Sequence, residues 1–79
     1  MTARDDIRTA AHALESRGLV PWSPAQCLAE AYRQGSSYPS STLTTHIVSR
    51  LCIDAPENHA HRWPDLQRVG YGLYRLHRQ

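Results

Sequence analysis

The sequence predicts a small α+β domain, mainly helical, made of three helices, one brief strand and a C-terminal β-hairpin. Three observations carry this reading. Apolar residues recur at helical spacing in three separate stretches. Ser23-Pro24-Ala25-Gln26 opens the second stretch with a capping residue, a proline and a capping-box partner. Near the C-terminus, apolar residues flank Gly70-Tyr71-Gly72 on both sides, which is the pattern of two short strands around a turn.

The first helix is expected from about Asp5 to Arg17, with Ile7, Ala10, Ala11 and Leu14 on its apolar side. Asp5 and Asp6 favour its start, and Gly18 supplies a stop. Leu19-Val20-Pro21-Trp22 is too short to stand alone but suits a brief strand. The second helix carries Ala25, Leu28, Ala31 and Tyr32 and fades near Gln34-Gly35. Gly35 to Pro39 forms a turn. The third helix follows and ends near Cys52, because Pro56 disfavours helical geometry at Ala55. A polar loop then runs from Asp54 to Pro64, before the hairpin strands Leu66–Val69 and Leu73–Leu76.

This is the order of a winged helix-turn-helix domain. The whole chain, 1–79, reads as one such unit, with the helix-turn-helix over about 23–52 and the wing over about 65–77. The short strand at Trp22 is placed to pair with the hairpin and protect one sheet edge, while its indole covers the core.

Seventy-nine residues bury a modest core and leave no room for a deep active site. The chain has no apolar run long enough to cross a membrane, and its first residues lack the features of a signal peptide, so a cytoplasmic protein is expected. Cys27 and Cys52 are read as small core residues, with a disulfide between them the lesser alternative. The net charge is only +2, yet all nine basic residues are Arg. Arg suits bidentate contacts to phosphate and guanine. A GC-rich coding sequence produces the same bias, so the arginines permit nucleic-acid binding without establishing it.

The third helix is the most informative stretch. Leu43, Ile47 and Leu51 share one side. The opposite side carries Thr42, Thr45 and Ser49, with Ser41 nearby, and it has no acid. Short hydroxyl side chains let a helix backbone come close to base edges in the DNA major groove. Ser40 and Ser41 lie at the helix start, where free amides favour a phosphate. The reading surface is therefore Ser40, Ser41, Thr42, Thr45, His46 and Ser49. The competing explanation is a solvated helix that happens to be rich in Ser and Thr. Arg50 lies nearer the apolar side than Thr45 and is as apt to pair with Asp54 as to touch DNA.

Three blocks give the chain a resemblance. Tyr38-Pro39-Ser40-Ser41-Thr42-Leu43-Thr44-Thr45-His46-Ile47, Asp54-Ala55-Pro56-Glu57-Asn58-His59 and Asp65 to Leu76 resemble small bacterial winged-helix domains. Such domains occur alone or joined to HNH-type and other restriction nucleases. The resemblance runs from Trp22 onward and implies a double-stranded-DNA-binding module in restriction or modified-DNA recognition, some relatives being linked to N6-methyladenine. It also implies that a nuclease domain or partner would supply any cutting, since no nuclease motif is present.

The remaining candidates are placed around this frame. Arg68, Tyr71 and Arg75 on the wing, with Asn58, His59 and Arg62 in the preceding loop, are expected to meet the DNA backbone or minor groove. Trp22 and Trp63 are candidate walls for a methylated base, against the plainer reading that Trp22 covers the core and Trp63 packs under the wing. Cys52, His59, His61 and His46 are a conceivable zinc set, but no tight ligand pair exists, so no metal or cofactor is expected. Pairings such as Cys27 with His12, or Ser49 with His46 and Asp54, lack an oxyanion hole, and no enzyme is expected. Two rival functions remain, a small transcriptional regulator binding an operator and a winged helix that binds another protein.

Overall fold

The computed structural model describes residues 2–50 and 65–77, except for the side chains of Ser49 and Arg50. Three helices come first: α1 (Ala3–Ser16), α2 (Pro24–Arg33) and α3 (Ser40–Thr45), the last running on into a π-helical turn at His46–Arg50. The hairpin strands β1 (Leu66–Gly70) and β2 (Leu73–Leu76) follow. The architecture is thus α+β and mainly helical.

Helix α1 begins earlier than Asp5. Thr2 is its N-cap and Asp5 the third helical residue, so their side chains bond each other's backbone amides in a capping box. Ser23 and Gln26 form the same box at the start of α2, with Pro24 at the first helical position. Both helices end alike. Leu19 N–H reaches Leu14 O at 3.0 Å and Gly18 N–H reaches Glu15 O at 3.0 Å. Ser36 N–H reaches Ala31 O at 3.0 Å and Gly35 N–H reaches Tyr32 O at 3.0 Å. Each is a Schellman ending, which needs a left-handed residue after the cap. Gly18 and Gly35 supply it, with φ of 79° and 96°.

The core lies between the helices and the hairpin. Ile7, Ala10, Ala11 and Leu14 are buried on the expected side of α1, joined by Ala3. The buried face of α2 differs from expectation. Cys27, Glu30 and Ala31 turn inward, Leu28 is partly buried, and Ala25 and Tyr32 are exposed. Leu43 and Ile47 come from the third helix, Leu66 and Tyr74 from the hairpin, and Trp22 from the segment between α1 and α2. Cys27 is a free, buried thiol whose pKa is pushed up to about 12 by burial and by nearby Glu30, so it acts as a small apolar residue. Cys52 lies outside the described residues.

Two carboxylates absent from the sequence expectations join these parts. Glu30 is 4% exposed. It accepts from Arg17 Nη2 at 2.8 Å, from Arg33 Nη2 at 2.6 Å and from Gln34 Nε2 at 2.8 Å, tying the end of α1 to the end of α2. The bonds from Arg17 and then Arg33 hold its pKa down to about 2. A carboxylate depressed on folding contributes stability above its unfolded pKa, and that contribution is lost as pH falls through the folded value. Thermal unfolding of the wild type and of Glu30→Gln, followed from about pH 6 to about pH 2, should show the wild-type advantage shrinking below about pH 4.5. A constant difference between the two proteins across that range would contradict this role.

Glu15 is the second. Its Oε2 accepts from Trp22 Nε1 at 3.0 Å and from Leu76 N–H at 2.7 Å, linking α1, the connecting segment and β2. The expected strand at Trp22 is a single bridge. Trp22 and Tyr74 exchange backbone hydrogen bonds of 2.9 and 2.8 Å, and their rings stack with centroids 6.1 Å apart. At the base of the hairpin, Arg4 holds Asp65 in two bonds of 2.7 and 3.2 Å.

The hairpin is antiparallel, pairing Leu66 with Leu76, Gln67 with Arg75, Arg68 with Tyr74 and Gly70 with Leu73. A bulge between Arg68 and Gly70 leaves Val69 unpaired. Tyr71 and Gly72 make the turn, Gly72 with φ of 65°. Among the described residues, no helix is long and apolar enough to cross a membrane.

Candidate functional site

The outward face of the third helix begins at Pro39, whose extended backbone caps it without a side-chain bond. Leu43 and Ile47 are fully buried beneath it. That burial fixes the helix rotation, leaving Ser40, Ser41, Thr44 and Thr45 exposed, with Thr42 and His46 at half depth. Ser41, Thr42, Thr45 and His46 line a shallow, open concavity of about 290 Å³. The structure therefore gathers four of the six residues expected to read a ligand, with Ser40 exposed at the same helix start.

His46 is oriented within this concavity. Its Nδ1 lies 2.8 Å from the Thr42 carbonyl oxygen. A carbonyl only accepts, so Nδ1 carries the proton. The ring stands beside the hydroxyls of Ser41, Thr42 and Thr45. Hydroxyls donate or accept, and the Thr methyls add small apolar contacts. Such a surface matches the mixed donors, acceptors and methyl groups of a major-groove base edge.

From His46 to Arg50 the helix widens into a π turn. Such turns are rare and recur at functional sites. A wheel drawn at a constant helical angle loses its register there, so the expected outward direction of Ser49 and inward lean of Arg50 do not follow from it. The side chains of both lie outside the described residues.

The hairpin residues are placed more plainly. Tyr71 is 94% exposed at the turn. Arg68 is exposed beside it, donating from Nε to Gly70 O at 3.2 Å, with its guanidinium carbon 5.9 Å from the Tyr71 ring centroid. Arg75 is half-buried, and its Nε is enclosed without a hydrogen-bond partner among the described residues. Val69, left unpaired by the bulge, and Arg68 before it are both exposed.

Trp22 does not form part of an outward pocket. It has no exposed surface, its indole N–H is bonded to Glu15, and its ring is covered by Tyr74. It cannot serve as a wall for a methylated base without opening the core, and its role is the core cover. Asn58, His59, Arg62 and Trp63 lie outside the described residues, as do Cys52 and His61 of the conceivable zinc set.

A second cleft, about 510 Å³, lies where α1 meets the turn after α2 and is lined by Asp6, Thr9, Ala31, Gln34 and Ser36 among others. Ser36 Oγ closes one side by donating to Asp6 Oδ2 at 2.8 Å. No family model matches this chain, and neither a curated protein nor a solved structure is found to match it.

Proposed function

We propose that this chain is a winged helix-turn-helix module that binds double-stranded DNA. Helix α2, the turn at Gly35–Pro39 and the third helix form the helix-turn-helix, and the hairpin is the wing. The third helix enters the major groove with Ser41, Thr42, Thr45 and His46 at the base edges, and Arg68 meets the backbone from the wing. The observation that carries this reading is the concavity formed by those four side chains, which has no acid among its described lining residues, with the His46 ring held by its bond to the Thr42 carbonyl. Support comes also from the sequence order of elements, which the fold repeats at the coarser level of three helices and a hairpin.

The resemblance to winged-helix domains of restriction systems suggests the setting, namely restriction or recognition of modified DNA, with N6-methyladenine as the first modification to test. Anisotropy titration against duplexes with and without N6-methyladenine addresses both levels. Binding to either duplex, falling steeply with salt, is the expected result. Tighter binding to the methylated duplex would favour a modified-base reader, and equal binding would favour an operator-binding regulator. Absence of binding to any duplex at low salt would overturn the DNA reading and leave a protein-binding winged helix.

A further inference from the structure

We propose that the cleft between α1 and the turn after α2 is a binding site for a small hydroxylated primary amine. The proposal goes beyond the DNA-binding reading and does not depend on it. The cleft measures about 510 Å³. Cavities that enclose small organic ligands span about 300–1,000 Å³, so its size fits that class. Asp6 and Thr9 line it from α1, where they stand one helical turn apart on the same face. Ser36 and Ser37 line it from the turn, and Ala31 and Gln34 from the end of α2.

Charge selects the ligand. Asp6 is the one charged residue among the described lining residues. It is half-buried and differs from the other inward acids of the fold. Asp65 is paired with Arg4, Glu30 with Arg17 and Arg33, and Glu15 takes two N–H donors. Asp6 has a single neutral donor, Ser36 Oγ at 2.8 Å, and no ion pair among the described residues. A carboxylate offers about four acceptor positions, so most of its capacity is unspent.

An ammonium group answers that deficit with a positive charge and three N–H donors. An anion would be repelled. Calcium takes about six to eight oxygen ligands, and one carboxylate is a poor start for such a cage. The hydroxyls of Thr9 and Ser37 make no hydrogen bond to other described residues, and both side chains are exposed. They can accept the remaining N–H groups or bond hydroxyls of the ligand. Ser36 and Ser37 belong to the turn that leads from α2 to the third helix. A ligand held by them and by Asp6 ties α1 to that turn, adding to the Ser36 bond.

The test follows backbone amide shifts of the full chain by NMR at fixed pH and low salt, where the charge is least screened. Glucosamine and ethanolamine are the probes, with glucose and ethylene glycol as their neutral counterparts. Saturable shifts at Asp6, Thr9, Ser36 and Ser37 are expected with at least one amine and with neither neutral compound. Asp6→Asn should weaken this binding about tenfold, while its side-chain oxygen still accepts from Ser36. Thr9→Lys should abolish it, because the new ammonium can reach Asp6 across one turn and fill the place of the ligand. Thr9 is exposed, so this variant should keep the fold even if Asp6→Asn does not. A folded form of either variant that binds as the wild type does would overturn the site. Glucose shifting the same amides as strongly as glucosamine would overturn the assignment to an amine. Shifts that spread over all surface acids without saturating, or no shifts with either amine, would overturn the proposal outright.

Discussion

Thr45→Glu is expected to lower duplex affinity at least a hundredfold, about 2.7 kcal/mol, while leaving the unfolding temperature close to wild type. Thr45 is exposed and lines the concavity with Ser41, Thr42 and His46. A carboxylate there sets a negative charge on a face whose described lining residues carry none, and in the proposed complex it would meet the DNA phosphates. Its longer side chain also holds the helix backbone away from the base edges. Neither effect reaches Leu43 or Ile47, which anchor the other side of the helix. Anisotropy titration together with a thermal melt checks both halves of the expectation. A stable variant with wild-type affinity would show that this face does not enter the groove.

Trp22→Ala is expected to destabilise the domain by about 3–5 kcal/mol, the usual range for deleting a fully buried aromatic side chain. Small domains have only about 5–15 kcal/mol to lose, so the variant should be partly unfolded at physiological temperature. Three losses act together. The core loses the largest fully buried side chain among the described residues, and the stack with Tyr74 disappears. The Glu15 carboxylate also loses its indole donor and keeps the Leu76 amide. Trp22→Phe separates these effects: it retains an aromatic ring and removes the indole donor, at a cost of about 1–3 kcal/mol. Urea unfolding of both variants measures the difference, and a loss close to zero in Trp22→Phe would mean that the bond to Glu15 adds little.

Local signals in the sequence proved a sound guide where one residue type controls one geometry. Ser23, Pro24 and Gln26 open α2 because each side chain acts within a single turn. Gly18 and Gly35 end their helices because the left-handed cap excludes most other residues. The hairpin around Tyr71-Gly72 was legible for the same reason. Other features depend on partners distant in the chain. Glu15 and Glu30 look like ordinary surface acids until α1, α2 and β2 bring Trp22, Leu76, Arg17 and Arg33 to them. The inward face of α2 was placed one step away because Glu30 carries its charge inward with its own donors, which hydrophobic patterning counts as an exposed residue. On the third helix, the spacing of Leu43 and Ile47 was enough to put Ser41, Thr42 and Thr45 on the side away from the core, where they line the concavity. The π turn and the Val69 bulge were not, since each adds backbone that a fixed period assumes absent.

Asp65 has a consequence for how the domain joins other chains. Its side chain is held by Arg4, in the first turn of α1, while its backbone carbonyl accepts from His77 N–H at 2.8 Å. The first and last described stretches therefore converge on one residue. A domain closed in this way behaves as a cassette: chain fused before Thr2 or after His77 would leave from the same corner. A circular permutant joining those ends by a short flexible linker would disturb few of the contacts on which the fold rests.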